Sequence, residues 1–391
     1  MRRIRYIIFL KDVLILACTA FGGPQVHLVM MLDLLVIKRR YLTEEELLEL
    51  QALCQILPGP TSTQTITALG FKIGGPSLAY LTVLIWSLPA MILMTLAALT
   101  IYYLEQKNIS LGFARFVGPM AVALLVHGGY RIARKVVRDR QGWILLSLSA
   151  LVAYLYPSPF VTPALIVAGG VVASLNYGKE PVMQKIPLRI EWANFFLWLG
   201  VLLAAALLGA ITKSLPVRLF ENFYRNGSLV FGGGQVLIPM LYNEFVEFKH
   251  YLTQEEFLTG MALTQVVPGP VFSISTYVGA LSMQSQGVSG QIIGALVATF
   301  GIFLPGTFLI FFVYRFWDQI KKYRGVRASL QGVHATSVGL TLAAAATLLV
   351  PMAASWVSIL TVLATLVLLF FTRLPPYALI LGGLLLGLLF P

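Results

Sequence analysis

Charge is scarce in this chain, and negative charge is scarcer still. Charged residues make up 11% of the 391, and 16 acids stand against 28 bases. A soluble domain carries roughly 25% charged residues, so a water-soluble globule is excluded. Windows 77–104, 193–212, 287–314 and 336–372 carry no charge at all, with Glu105 and Arg315 just outside two of them. Uncharged apolar runs of about 20 residues read as transmembrane helices. Long polar stretches are missing too, which argues against a separate soluble domain. Cysteine is limited to Cys18 and Cys54. Both lie in apolar segments without metal-ligand spacing, so they read as small core residues. There is no Walker loop, no HExxH, no histidine–carboxylate cluster and no Ser-His-Asp set. An enzyme, a cofactor, a bound metal and a nucleotide motor are therefore not expected. The net charge of +12 does not argue for nucleic acid as a partner, because the bases cluster in short loops between apolar helices. There they act as topology determinants in a lipid bilayer.

What the chain does have is one stretch written twice. Residues 21–60 and 231–270 align without a gap and share 19 of 40 positions. Each copy holds a glycine cluster, a capping box and a Pro-Gly-Pro. Each half of the chain then parses into the same six units. Unit one is an apolar segment broken at its centre, 7–20 and 25–37 around Gly22-Gly23-Pro24, and 216–230 and 235–246 around Gly232-Gly233-Gly234. Unit two opens on Thr43 with Glu46, or Thr253 with Glu256, the spacing of a capping box. It is stopped by Pro58-Gly59-Pro60 or Pro268-Gly269-Pro270, and a short piece follows, 61–73 or 271–285. Units three to six are plain helices at 78–104, 113–130, 143–156 and 160–176, and at 290–314, 328–349, 356–371 and 377–390. One extra helix, 192–211, links the halves. The opening run MRRIRYIIFLKDVLILACTAFGG resembles a signal peptide. Lys11 and Asp12 interrupt it, and it has a counterpart at 215–232, so it reads as a retained first helix.

The fold class expected is an all-α polytopic membrane protein with two repeats, at 1–178 and 215–391, joined by a linker at 179–214. It would hold roughly 9–13 membrane segments, some of them glycine- or proline-broken and either spanning or re-entrant. In half one a basic loop, with Arg131, Arg134, Lys135, Arg138 and Arg140, follows unit four. In half two the basic loop, with Arg315, Lys321, Lys322, Arg324 and Arg327, follows unit three. Basic loops stay cytoplasmic, so the same boundary faces opposite sides and the repeats are inverted. The N-terminus is then cytoplasmic and the C-terminus outside. A glycine-rich helix at 381–389 suits close packing, and hence a homodimer.

Proline must interrupt a helix, since it lacks an N–H and clashes with the preceding turn. Irregular backbone at membrane depth survives only where protein buries it or it lines a wet cavity. Paired breaks in corresponding places of two halves point to a substrate site. Each new half-helix presents free N–H groups and a positive dipole end, which suits an anion. Thr61, Ser62, Thr63 and Gln64 lie there in half one, and Ser273, Ser275 and Thr276 in half two. The alternative is that Pro-Gly-Pro only kinks the helix for packing. Gln25 and Gln235 either contact substrate or bond a neighbouring backbone. Lys72 either balances an anion or snorkels to the interface. Proton coupling needs an ionisable group in the membrane. Candidates are His27, Asp33, His127, His334 and Glu244, with His27 foremost because it sits just after the first break.

At these residues the sequence resembles the chromate ion transporter family. The resemblance rests on FGGPxxH at 21–27, LPGPxSTQ at 57–64, FGGGQVLIP at 231–239 and QxxPGPVF at 265–272, with Leu88-Pro89 and Leu304-Pro305 in the third units. Gln25-Val26 departs from the small residues often found before the histidine, and Asp33 from a more basic stretch. The resemblance implies an inner-membrane protein exporting chromate, with sulfate as a related oxyanion, driven by membrane potential or protons.

Overall fold

The computed structural model describes residues 2–20, 24–107, 115–137, 139–156, 161–175, 190–231, 234–316, 323–372 and 374–389. Among them there are sixteen α-helices and no strand, the architecture of an all-α polytopic membrane protein. The helices are α1 (Arg2–Thr19), α2 (Pro24–Met31), α3 (Glu44–Ile56), α4 (Thr61–Gln106), α5 (Val117–Val136), α6 (Arg140–Leu155), α7 (Val161–Leu175) and α8 (Ala193–Thr212). They continue as α9 (Leu215–Leu229), α10 (Gly234–Leu241), α11 (Gln254–Val266), α12 (Ile274–Ser282), α13 (Gly287–Tyr314), α14 (Arg324–Met352), α15 (Trp356–Phe371) and α16 (Pro376–Leu389). Four helical stretches are long and apolar enough to cross a bilayer: Thr61–Leu104, Ala193–Thr212, Gln284–Tyr314 and Gln331–Val350. Helices α8 and α15 turn bulky side chains outward, among them Phe196, Leu203, Leu207, Trp356, Leu363 and Phe371. Surface of that kind is stable against lipid and not against water.

The duplicated stretch folds twice into the same backbone path. A π-helical segment follows α2 at Leu32–Lys38 and α10 at Tyr242–Phe248. Two residues beyond each lies a left-handed residue, Arg40 (φ 53°) or His250 (φ 52°). Both predicted capping boxes form: Thr43 and Glu46 exchange bonds of 3.0 and 3.2 Å, Thr253 and Glu256 bonds of 2.6 and 3.2 Å. Gly59 and Gly269 take φ of +124° and +119°, and Gly75 and Gly287 take +73° and +70°. Gly75 divides α4, so that the short piece predicted at 61–73 is a helix of its own within it. At 1.5 Å per residue the 13 residues of α3 or α11 reach about 20 Å, short of a hydrocarbon core of about 30 Å.

Two compact units divide the chain. The first comprises Met1–Tyr103, Ile190–Leu229 and Val267–Phe316. In it α9 and α12 pack on α13, with α8 against α9 and α13. Side chains gain little by leaving lipid for protein, so close backbone approach carries much of the packing. Gly279 of α12 and Gly294 of α13 meet face to face, each leaving no room for a Cβ on the other. The buried Asp12 carboxylate of α1 takes bonds of 2.8 Å from both Arg39 and Tyr41 in the loop after the π-helical segment. That bond holds the Arg39 guanidinium above its usual range.

The second unit comprises Leu104–Arg189, Val230–Val266 and Trp317–Pro391. Helix α14 is its centre, packed by α5, α6 and α7, with α10 against α14 and α11 against α5 and α16. Gly169 of α7 and Gly332 of α14 again press backbone to backbone. The basic cluster expected as a loop after unit four is a correction. Arg131 and Arg134 lie in the last turns of α5 and Arg140 opens α6, because α5 runs on to Val136. Arg138, Lys321 and Lys322 lie outside the described residues. In α16, Gly383 closes on Met120, whereas a side chain at Gly382 would meet open space.

Candidate functional site

Both Pro-Gly-Pro breaks fall in the first unit, and the residues around them meet there. Sequence dictates how each half-helix begins. Helices α3 and α11 open on threonine caps, but α4 is preceded by Pro60, and the 3-10 turn Val271–Ser273 that leads into α12 is preceded by Pro270; neither proline offers a side-chain acceptor, and Ser273 does not cap α12. The first intrahelical bond of α4 is Gln64 N–H to Pro60 O at 2.8 Å. The N–H groups of Thr61, Ser62 and Thr63 thus have no partner within their own helix. In each copy one helix start has a side-chain cap and the other has none.

The bare ends are held by a short chain of bonds. His27 of α2 places Nδ1 3.1 Å from Ser62 Oγ and Nε2 3.2 Å from the Ala20 carbonyl oxygen. A carbonyl only accepts, so Nε2 carries the proton, and in the neutral ring Nδ1 accepts from the Ser62 hydroxyl. The same Ala20 oxygen accepts the Gly269 N–H at 2.8 Å. The start of α4, the first break and the second Pro-Gly-Pro therefore converge on one carbonyl. Trp86, fully buried in α4, lies edge-on to His27 at 5.4 Å and donates its indole N–H to Thr63 Oγ1 at 3.1 Å. Gln64 donates to Pro58 O at 2.8 Å and to Gly306 O of α13 at 3.3 Å.

The packing is reciprocal between the copies. A Cβ on Gly59, in the first Pro-Gly-Pro, would lie 3.4 Å from Gly306 Cα, beside Pro305. A Cβ on Gly269, in the second, would lie 2.9 Å from Ala90 Cβ, beside Pro89. Each Pro-Gly-Pro thus seats beside the in-helix Leu-Pro of the other copy. Mutual contact of that form is the mark of a two-fold relation.

Of the predicted site residues, His27, Pro58, Gly59, Pro60, Ser62, Thr63, Gln64, Gly269, Pro270, Ser273, Ser275 and Thr276 are buried, and Thr61 and Pro268 half-buried. Ser62 is committed to His27, and the Thr276 hydroxyl shares a 2.8 Å bond with Thr299. Of these site residues, Gln64 Oε1 and Ser275 Oγ are buried without a hydrogen-bond partner. Gly22, Gly23, Gly232, Gly233 and the side chains of Gln25 and Gln235 lie outside the described residues. Lys72 pairs with Glu46 at 2.6 Å and ties the first short helix to the start of α3. Asp33 pairs with Lys38 in the open, and Glu244 with Lys249 in the second unit. His127 and His334 lie on α5 and α14, which leaves His27 as the ionisable candidate bonded to a break. Sequence reasoning missed Trp86, Gly306 and the Ala20 carbonyl. Only the first had a visible signal, an indole within an uncharged span just before Leu88-Pro89.

The assembled chemistry is neutral: backbone N–H groups at two bare helix ends, hydroxyls, an amide and an imidazole. None of the residues at the two breaks carries a negative charge, so the arrangement can receive an anion without repelling it. The sequence profile of the family described as "Chromate transporter" matches residues 8–175 and 217–388. A "Chromate transport protein" of Pseudomonas aeruginosa is 29% identical over 328 residues, covering 82% of this chain and 76% of that protein. An uncharacterized transporter of Methanocaldococcus jannaschii is 26% identical over 338 residues, 84% of this chain and 80% of its own. A "Chromate transport protein" of Cupriavidus metallidurans is 26% identical over 330 residues, 83% and 78%. No solved structure matches the chain. The family is one of transporters and not of enzymes. With nearly the whole chain matched in two successive blocks, the chain belongs to the chromate transporter family.

Proposed function

We propose that this protein carries chromate, or a sulfate-like tetrahedral oxyanion, out of the cytoplasm across the inner membrane as a secondary transporter. The observation that carries the reading is the meeting, at the Ala20 carbonyl, of His27, which bonds the uncapped start of α4, and Gly269 of the second Pro-Gly-Pro, with neutral donors and no acid among them. Thr63, Gln64, Ser273 and Ser275 would face the oxyanion, and His27 would orient the first of the two ends. The reciprocal seating of each Pro-Gly-Pro beside the other copy's Leu-Pro supports a two-fold relation between repeats 1–178 and 215–391. Added to the loop charges, it supports inverted repeats, a cytoplasmic N-terminus and an external C-terminus. Moving one charge through 100 mV is worth roughly 2.3 kcal/mol, so a dianion leaving an inside-negative cell gains about twice that. Membrane potential alone then suffices to drive export.

The test is uptake of labelled chromate and sulfate into inverted membrane vesicles. Saturable flux of one, competed by the other, is the expected result. Thr63→Ala and Ser273→Ala should each lower flux at unchanged protein level. Absence of competable flux for either anion would sink the reading; flux that survives both substitutions would sink the site.

A further inference from the structure

We propose that a second site, separate from the breaks, holds the headgroup phosphate of an acidic phospholipid against the N-terminal turns of α1. A cavity of about 370 Å³ opens there, lined by Ile4, Arg5, Ile8, Arg39 and Tyr41. Its size falls in the range of roughly 300–1,000 Å³ typical of small-molecule sites.

Three features of the cleft select this ligand. The polar wall is fixed in advance. Asp12 accepts from Arg39 Nη2 and from the Tyr41 hydroxyl, and the Tyr41 ring packs edge-on against Phe9 at 5.4 Å. Asp12 takes one N–H of a guanidinium that has five, so the exposed side of Arg39 retains donors. Arg5 faces the same cleft from α1 and is exposed. Two guanidiniums on one cavity suit a phosphate, which they bind through paired N–H groups.

The other wall is apolar and continues along the helix. Ile4 is 64% exposed and Ile7 67% exposed, and Ile8, Leu14 and Ile15 extend the stripe along α1. A free oxyanion gains nothing from such a wall, whereas acyl chains lie along it. Charge favours an acidic lipid over a zwitterionic one. Residues 1–41 hold seven bases (Arg2, Arg3, Arg5, Lys11, Lys38, Arg39, Arg40) and two acids (Asp12, Asp33), a net charge of +5. Basic clusters at a bilayer surface recruit acidic headgroups.

The site is tested on the whole purified protein in neutral detergent, by native mass spectrometry and thermal unfolding. Dioleoyl phosphatidylglycerol should give one saturable adduct and raise the unfolding midpoint, and dioleoyl phosphatidylcholine should do neither. Arg5→Ala should weaken the adduct at least fivefold while melting with wild type in the absence of lipid, because Arg5 is exposed. Arg39→Lys, which keeps a cation beside Asp12, should weaken it less than Arg5→Ala does. Equal binding of the two lipids, or an adduct indifferent to Arg5→Ala, overturns the proposal. Displacement of phosphatidylglycerol by millimolar inorganic phosphate would show a soluble-anion site and also overturn it. No transport measurement enters, so the outcome is independent of the cargo.

Discussion

Replacing Gly269 by alanine probes how the two copies interlock. Gly269 sits at φ +119°, where a side chain is strained; such strain costs about 1–3 kcal/mol. The new Cβ would also lie 2.9 Å from Ala90 Cβ, well inside a carbon contact of about 3.5–4.0 Å. Overpacking of that kind costs about another 1–3 kcal/mol. The single substitution should therefore destabilise by about 2–6 kcal/mol. Ala90→Gly alone weakens a helix by about 1 kcal/mol. In the Gly269→Ala background the same truncation removes the clash. The double variant should then be more stable than the two singles predict, with a coupling of about 1–3 kcal/mol. Gly287→Ala is the control: its φ is +70°, but its Cβ would have nothing within 4 Å, so only strain remains. Equilibrium unfolding in mixed detergent–SDS micelles measures all four. If the Gly269 and Ala90 effects add within about 0.5 kcal/mol, the cross-copy contact is refuted.

Other perturbations separate further parts of the structure. Trp86→Phe keeps an aromatic ring but removes the donor to Thr63 and part of the buried ring volume. It should therefore cost more than the bond alone, which is worth about 1 kcal/mol, and reach about 2–4 kcal/mol in the same unfolding assay. Thr43→Ala and Thr253→Ala should each cost about 1 kcal/mol by opening a capping box, and a serine at either position should restore most of it. Arg39→Ala should lower the thermal midpoint more than Arg39→Lys, because it leaves the buried Asp12 carboxylate without its cation.

Much of this was legible in the order of residues. The capping boxes announce themselves by spacing, and Pro-Gly-Pro enforces a break wherever it sits. The unlabelled consequence of Pro60 and Pro270, a helix start with no cap, follows from the same residue type. The π-helical segments were not legible, because LDLLVIK and YNEFVEF carry no pattern that favours an i to i+5 bond over an i to i+4 bond. Asp12 reads in sequence as an interruption of an apolar run, and only the fold supplies Arg39 and Tyr41, 27 and 29 residues away. Extending α5 to Val136 defeated the expectation of a basic loop, since arginine and lysine are good helix formers and nothing before Val137 stops the helix. The seating of Gly59 on Gly306 is a contact across about 250 residues, which spacing cannot reveal.

The carbonyl oxygen of Ala20 has two lone pairs and both are in use, one by His27 and one by Gly269. A hydrogen bond of this kind is worth about 1 kcal/mol net, under twice the thermal energy. As a latch it would not open for nothing, since stranding the Gly269 N–H, which is buried, costs about 1–3 kcal/mol. On the proposed function, an oxyanion that accepts from the Gly269 N–H replaces the Ala20 oxygen without leaving any donor stranded. Arrival of cargo and release of the latch are then one event, an exchange of acceptors at a single N–H, and the bond count stays level throughout.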